Sequence, residues 1–591
     1  MLTVLAATLI VGLVWMLPRQ LEQTAKTAFA TLIFAANFAL LKSHDYFQPE
    51  AELNPLLHMW SLSVEEQFYL LFPFLVIFGL RTGRRRLYGL VLAISLVSLA
   101  CAEIGWRHFP QHNFYLLPGR AWELGVGALA ALFWLDRPLP KNNAIALAGV
   151  IAIIVSIAAF DKTTPFPSFY ALLPVMGSVA ILLCADRSGV VGRMLASRLF
   201  VSIGLISYSL YLWHQPVLAL GRVRFGEQPG LAATTAMIAI AFLLAVLSYF
   251  WVEKPFRSRY DGAFAPNVFK KTMVAACAAV AVVGLTTDAL DGLPQRALLR
   301  GVDLAAAQKR MGNNHGLDRS CDPVSTPTPQ CSWGTDPRVV LWGDSFAMHI
   351  AGALAASPTN RSFVQLTRSA CAPIRGLALF RDAIGAEKDA AECLDFSDQV
   401  LDWVVKNDRI ETVILSSSLD LVNGDILTRG GRQAWSEATA GAARAGLADT
   451  IGRLKAAGKA VVIVSPTPRN GLNLGDCILR NLFNGGPEET CDFPFASQPP
   501  RYAAMWTLLA SVPAPTVWLN DLICPQGQCD TVQDGQFIYR DQGHLSVEGS
   551  RYIGRKFDLM GQVVRLASAE RQALGRPDRT DYKHAGRLSP G

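Results

Sequence analysis

Arg338-Val339-Val340-Leu341-Trp342-Gly343-Asp344-Ser345 is a short apolar, β-branched run that ends in a turn. Such a run predicts a buried strand. A serine at a strand-to-helix turn has its hydroxyl lifted above the sheet edge and its N–H beside a helix N-terminus, where negative charge is favoured. Four runs of the same kind follow: Phe363-Val364-Gln365-Leu366, Thr412-Val413-Ile414-Leu415, Ala460-Val461-Val462-Ile463-Val464 and Thr516-Val517-Trp518-Leu519. Helical stretches lie between them, 394–406 and 433–457 among them. Strand and helix in alternation predict a parallel, doubly wound α/β domain over 336–566. Before it, 288–335 reads as an irregular linker; after it, 567–591 is polar, punctuated by Gly and Pro, and reads as a disordered tail.

Near the end of this domain stands Asp541-Gln542-Gly543-His544-Leu545-Ser546, again just before a helix. An Asp three residues ahead of a His can orient the imidazole, so that the other ring nitrogen takes the proton from Ser345. Gly-Asp-Ser alone is more often a capped turn, and a lone His more often a surface residue. Their joint placement, after the first strand and before the last helix, favours nucleophilic catalysis. The pairing resembles the SGNH hydrolase and acyltransferase superfamily. That resemblance implies Ser345 as nucleophile, His544 as general base and then acid, and Asp541 as its orienting partner. It also implies an oxyanion hole built from the N–H of Ser345 and the second block, Ser369-Ala370-Cys371. The third block falls at Ser416-Ser417-Ser418 without the family's Asn. Loss of one such donor costs about 3 to 4 kcal/mol unless a hydroxyl or N–H replaces it.

The rest of the chain is of another kind. Of 591 residues, 51% are hydrophobic and 17% charged, which excludes disorder, a fibrous repeat and an ordinary soluble enzyme. The net charge of +7 comes with no basic tract interleaved with aromatics, so nucleic acid is not an expected partner. Apolar runs at about 1–17, 62–80, 87–104, 117–135, 143–160, 168–185, 200–219, 231–252 and 268–287 predict a polytopic helical membrane domain embedded in a lipid bilayer. The first run lacks a basic leader and a small-residue cleavage site, and reads as a retained helix. Arg81 and Arg84–Arg86, then Arg187, Arg193 and Arg198, then Lys254, Arg257, Arg259, Lys270 and Lys271 crowd three loops separated by even numbers of crossings. The positive-inside rule puts these in the cytoplasm, and 43–61, 105–116, 161–167 and everything after about 288 outside. Arg222 and Arg224 are a mild exception on the outer face. The stretch 26–42, bounded by Lys26 and Lys42 and interrupted by Asn37, breaks the parity: as a crossing it puts the N-terminus outside, and as a re-entrant or interfacial segment, the preferred reading, it puts the N-terminus inside.

Cysteine placement supports this sidedness. Cys101, Cys184 and Cys277 fall in spans; the other eight fall in the outer domain as neighbour pairs: Cys321 with Cys331, Cys371 with Cys393, Cys477 with Cys491, Cys524 with Cys529. Local disulfides in an oxidising periplasm explain the pattern. The spacings do not match paired C-x2-C zinc ligands, so no metal is expected.

Four motifs mark the membrane half. Leu56-Leu57-His58-Met59-Trp60-Ser61-Leu62-Ser63-Val64-Glu65-Glu66-Gln67-Phe68-Tyr69 sets two carboxylates at the mouth of a span, where at most one can face a given partner. Arg120 and Glu123 lie three apart on one helix face and can pair. Ser207-Tyr208-Ser209-Leu210-Tyr211-Leu212-Trp213-His214-Gln215-Pro216 and Val252-Glu253-Lys254-Pro255-Phe256-Arg257 complete the set. Singly, Tyr211 and Trp213 read as interfacial aromatics and His214 as a helix-end hydrogen-bonder. Together, over residues 1–257, they resemble the acyltransferase 3 family of membrane O-acyltransferases, with 258–287 adding a cytoplasmic loop and a last helix before an outer SGNH domain. The resemblance is to the subgroup that O-acetylates surface polysaccharides such as lipopolysaccharide O-antigen. It implies a bacterial inner-membrane enzyme with no bound cofactor, taking acyl-CoA, most simply acetyl-CoA, as donor in the cytoplasm and an envelope polysaccharide as acceptor. His58, Glu65, Glu66, Arg120, Glu123, Tyr211 and His214 are its membrane-domain candidates. The family's two further helices, with an intramembrane His and an R-x-x-R motif, would precede residue 1, which reads as a start placed too far downstream or as a fragment with impaired acyl-CoA use. The alternatives are a membrane-tethered periplasmic esterase, because the same triad runs with water as acceptor, and a degenerate, non-catalytic acyltransferase subunit.

Overall fold

The computed structural model describes residues 1–43, 52–136, 141–161, 164–226, 229–257, 266–380, 386–573 and 575. They form two compact units, Met1–Pro294 and Gln295–Gly591. Parts of the expected loops at 43–61 and 258–287, and most of the expected tail, lie outside the described residues.

The first unit is helical, and each apolar run falls on a helix. Four helices are long and apolar enough to cross a membrane: Met59–Thr82, Arg84–His108, Leu231–Phe256 and Lys270–Ala289. Shorter apolar helices are Leu2–Trp15, Ala121–Leu135, Asn143–Ala159 and Phe169–Cys184, while Arg198–Phe225 is long but carries the polar residues of the third motif. Helices Asn143–Ala159 and Leu172–Cys184 pack backbone to backbone: a Cβ on Gly149 would lie 2.5 Å from the Gly177 carbonyl. Small residues permit this approach where lipid gives helices no hydrophobic drive to associate. The stretch 26–42 is split between two helices, Pro18–Leu32 and Ala36–Ser43, separated at Phe34, whose φ of 54° ends the first. At 15 residues the longer piece extends ~22 Å against a ~30 Å hydrocarbon core, so neither forms a full span alone. Asn37 ties the break down: its amide donates to the Tyr115 carbonyl at 3.1 Å and accepts from Gln67 at 3.0 Å.

The second unit is a six-stranded sheet with helices on both faces. Strands β1 (Ser332–Trp333), β2 (Val339–Gly343), β3 (Phe363–Thr367), β5 (Thr412–Ser416), β8 (Ala460–Val464) and β10 (Thr516–Val517) run in the order β1-β3-β2-β5-β8-β10. Small strands β4 (Ala378–Leu379), β6 (Ile426–Thr428) and β7 (Gly431–Gln433) form a separate antiparallel sheet, and β9 (Phe493–Pro494) pairs with Gln528–Cys529. The five strands read from sequence are all present and mutually parallel; β1 is an added antiparallel edge. β2, β3, β5 and β8 are buried along their whole length, which is why they read as continuous apolar runs and not as alternating ones. One face is covered by helices Ala386–Lys406, Glu437–Ala456 and Pro500–Ser511, the other by Ser345–Ala356, Val547–Phe557 and Leu559–Ala573.

Boundaries differ from expectation for local reasons. The helix expected from 433 starts at Glu437, because Ser436 caps it and Gly431–Gln433 is spent in β7. The last strand stops at Val517, where helix Leu519–Ile523 begins. Residues 288–335 are structured: Arg310 forks onto Glu548 at 2.6 and 2.8 Å over the Phe537 ring, and β1 joins the sheet. The final helix runs past 566 to Ala573, with Ala567 buried and Lys455 paired to Glu570. All four cysteine pairs are bonded, and Cys101, Cys184 and Cys277 are free. Each bridge stabilises its loop by about 2 to 4 kcal/mol. Mass mapping of unreduced protein is expected to return these bridges; eight free thiols in the second unit would contradict them.

Candidate active site

Parallel strands place the loops after β3, β2, β5 and β8 along one edge of the sheet, where ligands bind in open α/β folds. Gly343 ends β2 level with Thr367 and Ser416, and a Cβ there would lie 1.8 Å from the Ser416 carbonyl, so only glycine lets the three loops meet. Asp344 then caps the helix Ser345–Ala356, accepting from the Phe346 N–H at 2.8 Å. Its other oxygen accepts from Ser417 Oγ at 2.7 Å and the Ser418 N–H at 3.0 Å. Burial pushes the Asp344 carboxyl above the ordinary carboxylate range, although these three donors oppose the shift. Asp344 thus pins the third block to the turn that carries Ser345.

The sequence-predicted serine and histidine, 199 residues apart, meet here: Ser345 Oγ lies 2.7 Å from His544 Nε2. Asp541 receives His544 Nδ1 at 2.9 and 3.0 Å, so the proton sits on Nδ1 and Nε2 faces the serine as acceptor. Asp541 also accepts the backbone N–H groups of Gly543 and His544, which fixes the loop as well as the ring. Burial would raise the Asp541 carboxyl, but the bonds from His544, the charges of His544 and Arg540 and the loop N–H hold it far below its usual range.

The second block needs one correction. The N–H of Ser369 donates to Asp322 at 2.8 Å and its hydroxyl to the same carboxylate, so Ser369 is committed elsewhere. Ala370 has a left-handed φ of 57°, a strained conformation for alanine costing on the order of 1 to 3 kcal/mol, and its N–H has no protein acceptor among the described residues. The Ser345 N–H is likewise uncommitted among the described residues. The Cys371–Cys393 bridge anchors this turn to helix Ala386–Lys406. In the third block no amide side chain replaces the missing Asn; its hydroxyl and N–H serve Asp344.

Three residues were not read from sequence. Arg469, buried after β8, donates to the Ser418 carbonyl at 3.2 Å, pairs with Asp420 at 3.4 Å, and lies over the Phe346 and Tyr502 rings. Its side chain packs against Gly543, whose carbonyl accepts from Thr467. His349, one helical turn after Ser345, is fully buried and kept neutral by burial; its Nδ1 accepts the Leu545 N–H at 3.2 Å. Asp322 belongs to the segment read as linker.

In the first unit, His58, Tyr211 and His214 are brought together, with ring centroids 5.1 to 5.5 Å apart. Tyr211 donates its hydroxyl to the His58 carbonyl at 2.5 Å and lies 2.5 Å from Ser61 Oγ. Arg120 and Glu123 pair at 3.2 Å, with the guanidinium stacked on Trp60, Phe114 and Phe166. Of the Glu65-Glu66-Gln67 run, Gln67 donates its amide to the Phe34 carbonyl at 2.8 Å and to the Asn37 side chain at 3.0 Å. Glu253, not singled out from sequence, accepts from Ser209 at 2.9 Å and sits in a π-helical turn, so the third and fourth motifs touch.

Residues 1–250 match the family model described as an acyltransferase domain, and residues 315–559 the model described as an SGNH domain fused to AT3 domains. The protein named membrane-bound transacylase BcsY of Komagataeibacter xylinus is 30% identical over 275 residues, 46% of this chain and 69% of its own length. O-acetyltransferase OatA of Staphylococcus aureus (strain MRSA252) is 28% identical over 278 residues, 44% of this chain and 45% of its own, so the chain spans under half of that relative. The periplasmic domain of a lipopolysaccharide acetyltransferase from Salmonella ser. Paratyphi A aligns at 18% identity and a TM-score of 0.32, covering 45% of this chain and 97% of that one.

Proposed function

The chain belongs to the membrane acyltransferase family whose acyltransferase domain is fused to an SGNH domain, and from that premise we propose that it O-acylates a cell-envelope polysaccharide. The acyl group, acetyl in the simplest case, comes from acyl-CoA on the cytoplasmic side of the inner membrane. The helical unit passes it across, and the second unit, in the periplasm, delivers it to sugar hydroxyls of a glycan such as lipopolysaccharide O-antigen. The observation that carries this reading is the Ser345–His544–Asp541 chain of hydrogen bonds. Ser345 Oγ attacks the acyl carbonyl as His544 Nε2 takes its proton, and the oxyanion sits against the Ser345 and Ala370 N–H groups. The donor's leaving group takes the proton from His544; a sugar hydroxyl then attacks the acyl-serine, giving its proton to the imidazole and restoring Ser345. Four disulfides support an oxidising compartment for the second unit.

The test is label transfer. Inside-out membrane vesicles given radiolabelled acetyl-CoA are expected to accumulate base-labile label on envelope polysaccharide, and release of label only as free acetate would replace this reading with the esterase.

A further inference from the structure

The turn that continues from Ser418, beside the candidate active site, carries an aromatic surface that the chemistry does not use. Among the described residues of the second unit, the exposed large apolar side chains are Trp333, Val405 and Trp435, of which Trp435 is the most exposed at 52%. Trp333 lies level with Phe363, at the opposite end of the sheet from Ser345. Trp435 follows β7 and is bonded to the turn that leaves the Ser416 end of β5, the end of the sheet that carries Ser345. Its indole N–H donates to the Val422 carbonyl at 2.9 Å and its backbone N–H to Asp425 at 2.9 Å. Asp425 is itself held by Arg432 at 2.7 Å, and Arg432 lies over the Phe380 ring. Both N–H groups of the tryptophan are therefore satisfied by the protein while its ring stays half exposed. Val422 is four residues beyond Ser418, whose N–H grips Asp344 beside the nucleophile, and the intervening Asp420 pairs with Arg469 under the His544 loop. The turn that anchors the indole is thus the turn that closes the active site.

We propose that Trp435 is a stacking platform for a sugar ring of the acceptor glycan, which holds the polysaccharide so that a hydroxyl of another ring reaches Ser345. The proposal rests on the glycan-acylation reading and names a subsite for it. A pyranose has an apolar face of C–H bonds and a rim of hydroxyls. A fixed, exposed indole matches the face and leaves the rim free for water and neighbouring polar groups. An exposed ring with its orientation already set loses little entropy when a ligand stacks on it.

The test separates acceptor binding from chemistry in the full-length protein. The probe is an oligosaccharide released from the cell's own envelope and stripped of acyl groups with base. Trp435→Ala is expected to raise its KM about tenfold, equivalent to ~1.4 kcal/mol, and to lower the ratio of glycan acylation to 4-nitrophenyl acetate hydrolysis by a similar factor; Trp435→Phe should recover most of both. Equilibrium dialysis of the same oligosaccharide against Ser345→Ala protein, with and without Trp435→Ala, reads the subsite without turnover and should show the same loss of affinity. Unchanged oligosaccharide affinity, or equal losses of glycan acylation and ester hydrolysis, would overturn the platform. So would a loss of binding to anionic lipid vesicles with glycan affinity intact, which would make the ring a membrane anchor. Acetyl label released by the parent protein only as free acetate would overturn the functional reading instead, leaving the dialysis result to stand by itself.

Discussion

Ser345→Ala is expected to lower glycan O-acylation by roughly 10⁴-fold or more, with the protein still folded and inserted in the membrane. The hydroxyl is the only nucleophile within hydrogen-bond distance of His544 Nε2 among the described residues, so nothing else there can take up the acyl group. The substitution removes little besides. Alanine keeps the backbone N–H, the helix start and the Asp344 cap, which bonds Phe346 and not the serine side chain. The stability change should stay near the worth of one hydrogen bond, about 0.5 to 1.5 kcal/mol. Base-released acyl groups on envelope polysaccharide measure the outcome, and a variant that acylates as well as the parent would take the serine out of the route.

Much of this site was legible because its parts announce themselves locally. Strands buried on both faces are continuous apolar runs, and Gly343-Asp344-Ser345 must follow one of them for the hydroxyl to stand clear of the sheet. Asp541 and His544 are three residues apart, a spacing that permits an orienting contact whatever the rest of the fold does. What could not be read depends on contacts between segments distant in the chain. Ser369 reads as an oxyanion donor only through its place in the second block that the resemblance marks; its N–H goes to Asp322, 47 residues upstream, in a stretch that reads as a linker. Arg469 and His349 are similar cases. An arginine after a strand and a histidine on a helix have no pattern of their own, and only the folding of the His544 loop over β8 and the nucleophile helix gives them partners. In the membrane half the motifs marked His58, Tyr211 and His214, but not the contact of Ser209 with Glu253, which needs two helices in register.

Asp541→Asn is expected to reduce acylation by about 10⁴-fold at neutral pH, the scale the same change has in serine proteases, because it alters the proton on His544 more than the shape of the loop. Asparagine can keep an acceptor oxygen for the Gly543 and His544 N–H groups, both of which bond Oδ1 of the aspartate. Its amide, turned toward the ring, presents a donor where the carboxylate presented an acceptor, and the imidazole then holds its proton on Nε2, facing the serine. Alanine at the same position would lose the loop contacts too, so asparagine isolates the electrostatic part. Stability should respond with a definite sign. The folded Asp541 carboxyl is held below its ordinary value, so its contribution is complete above about pH 4 and is lost as the pH falls further, toward the folded value. The stability gap between parent and Asp541→Asn should therefore be widest at neutral pH and close in acid. In rate the two catalytic substitutions should not add: Ser345→Ala with Asp541→Asn should be no slower than Ser345→Ala alone, because an imidazole without a serine has no proton to accept. A further large loss in the double variant would mean that Asp541 acts on some route other than through His544.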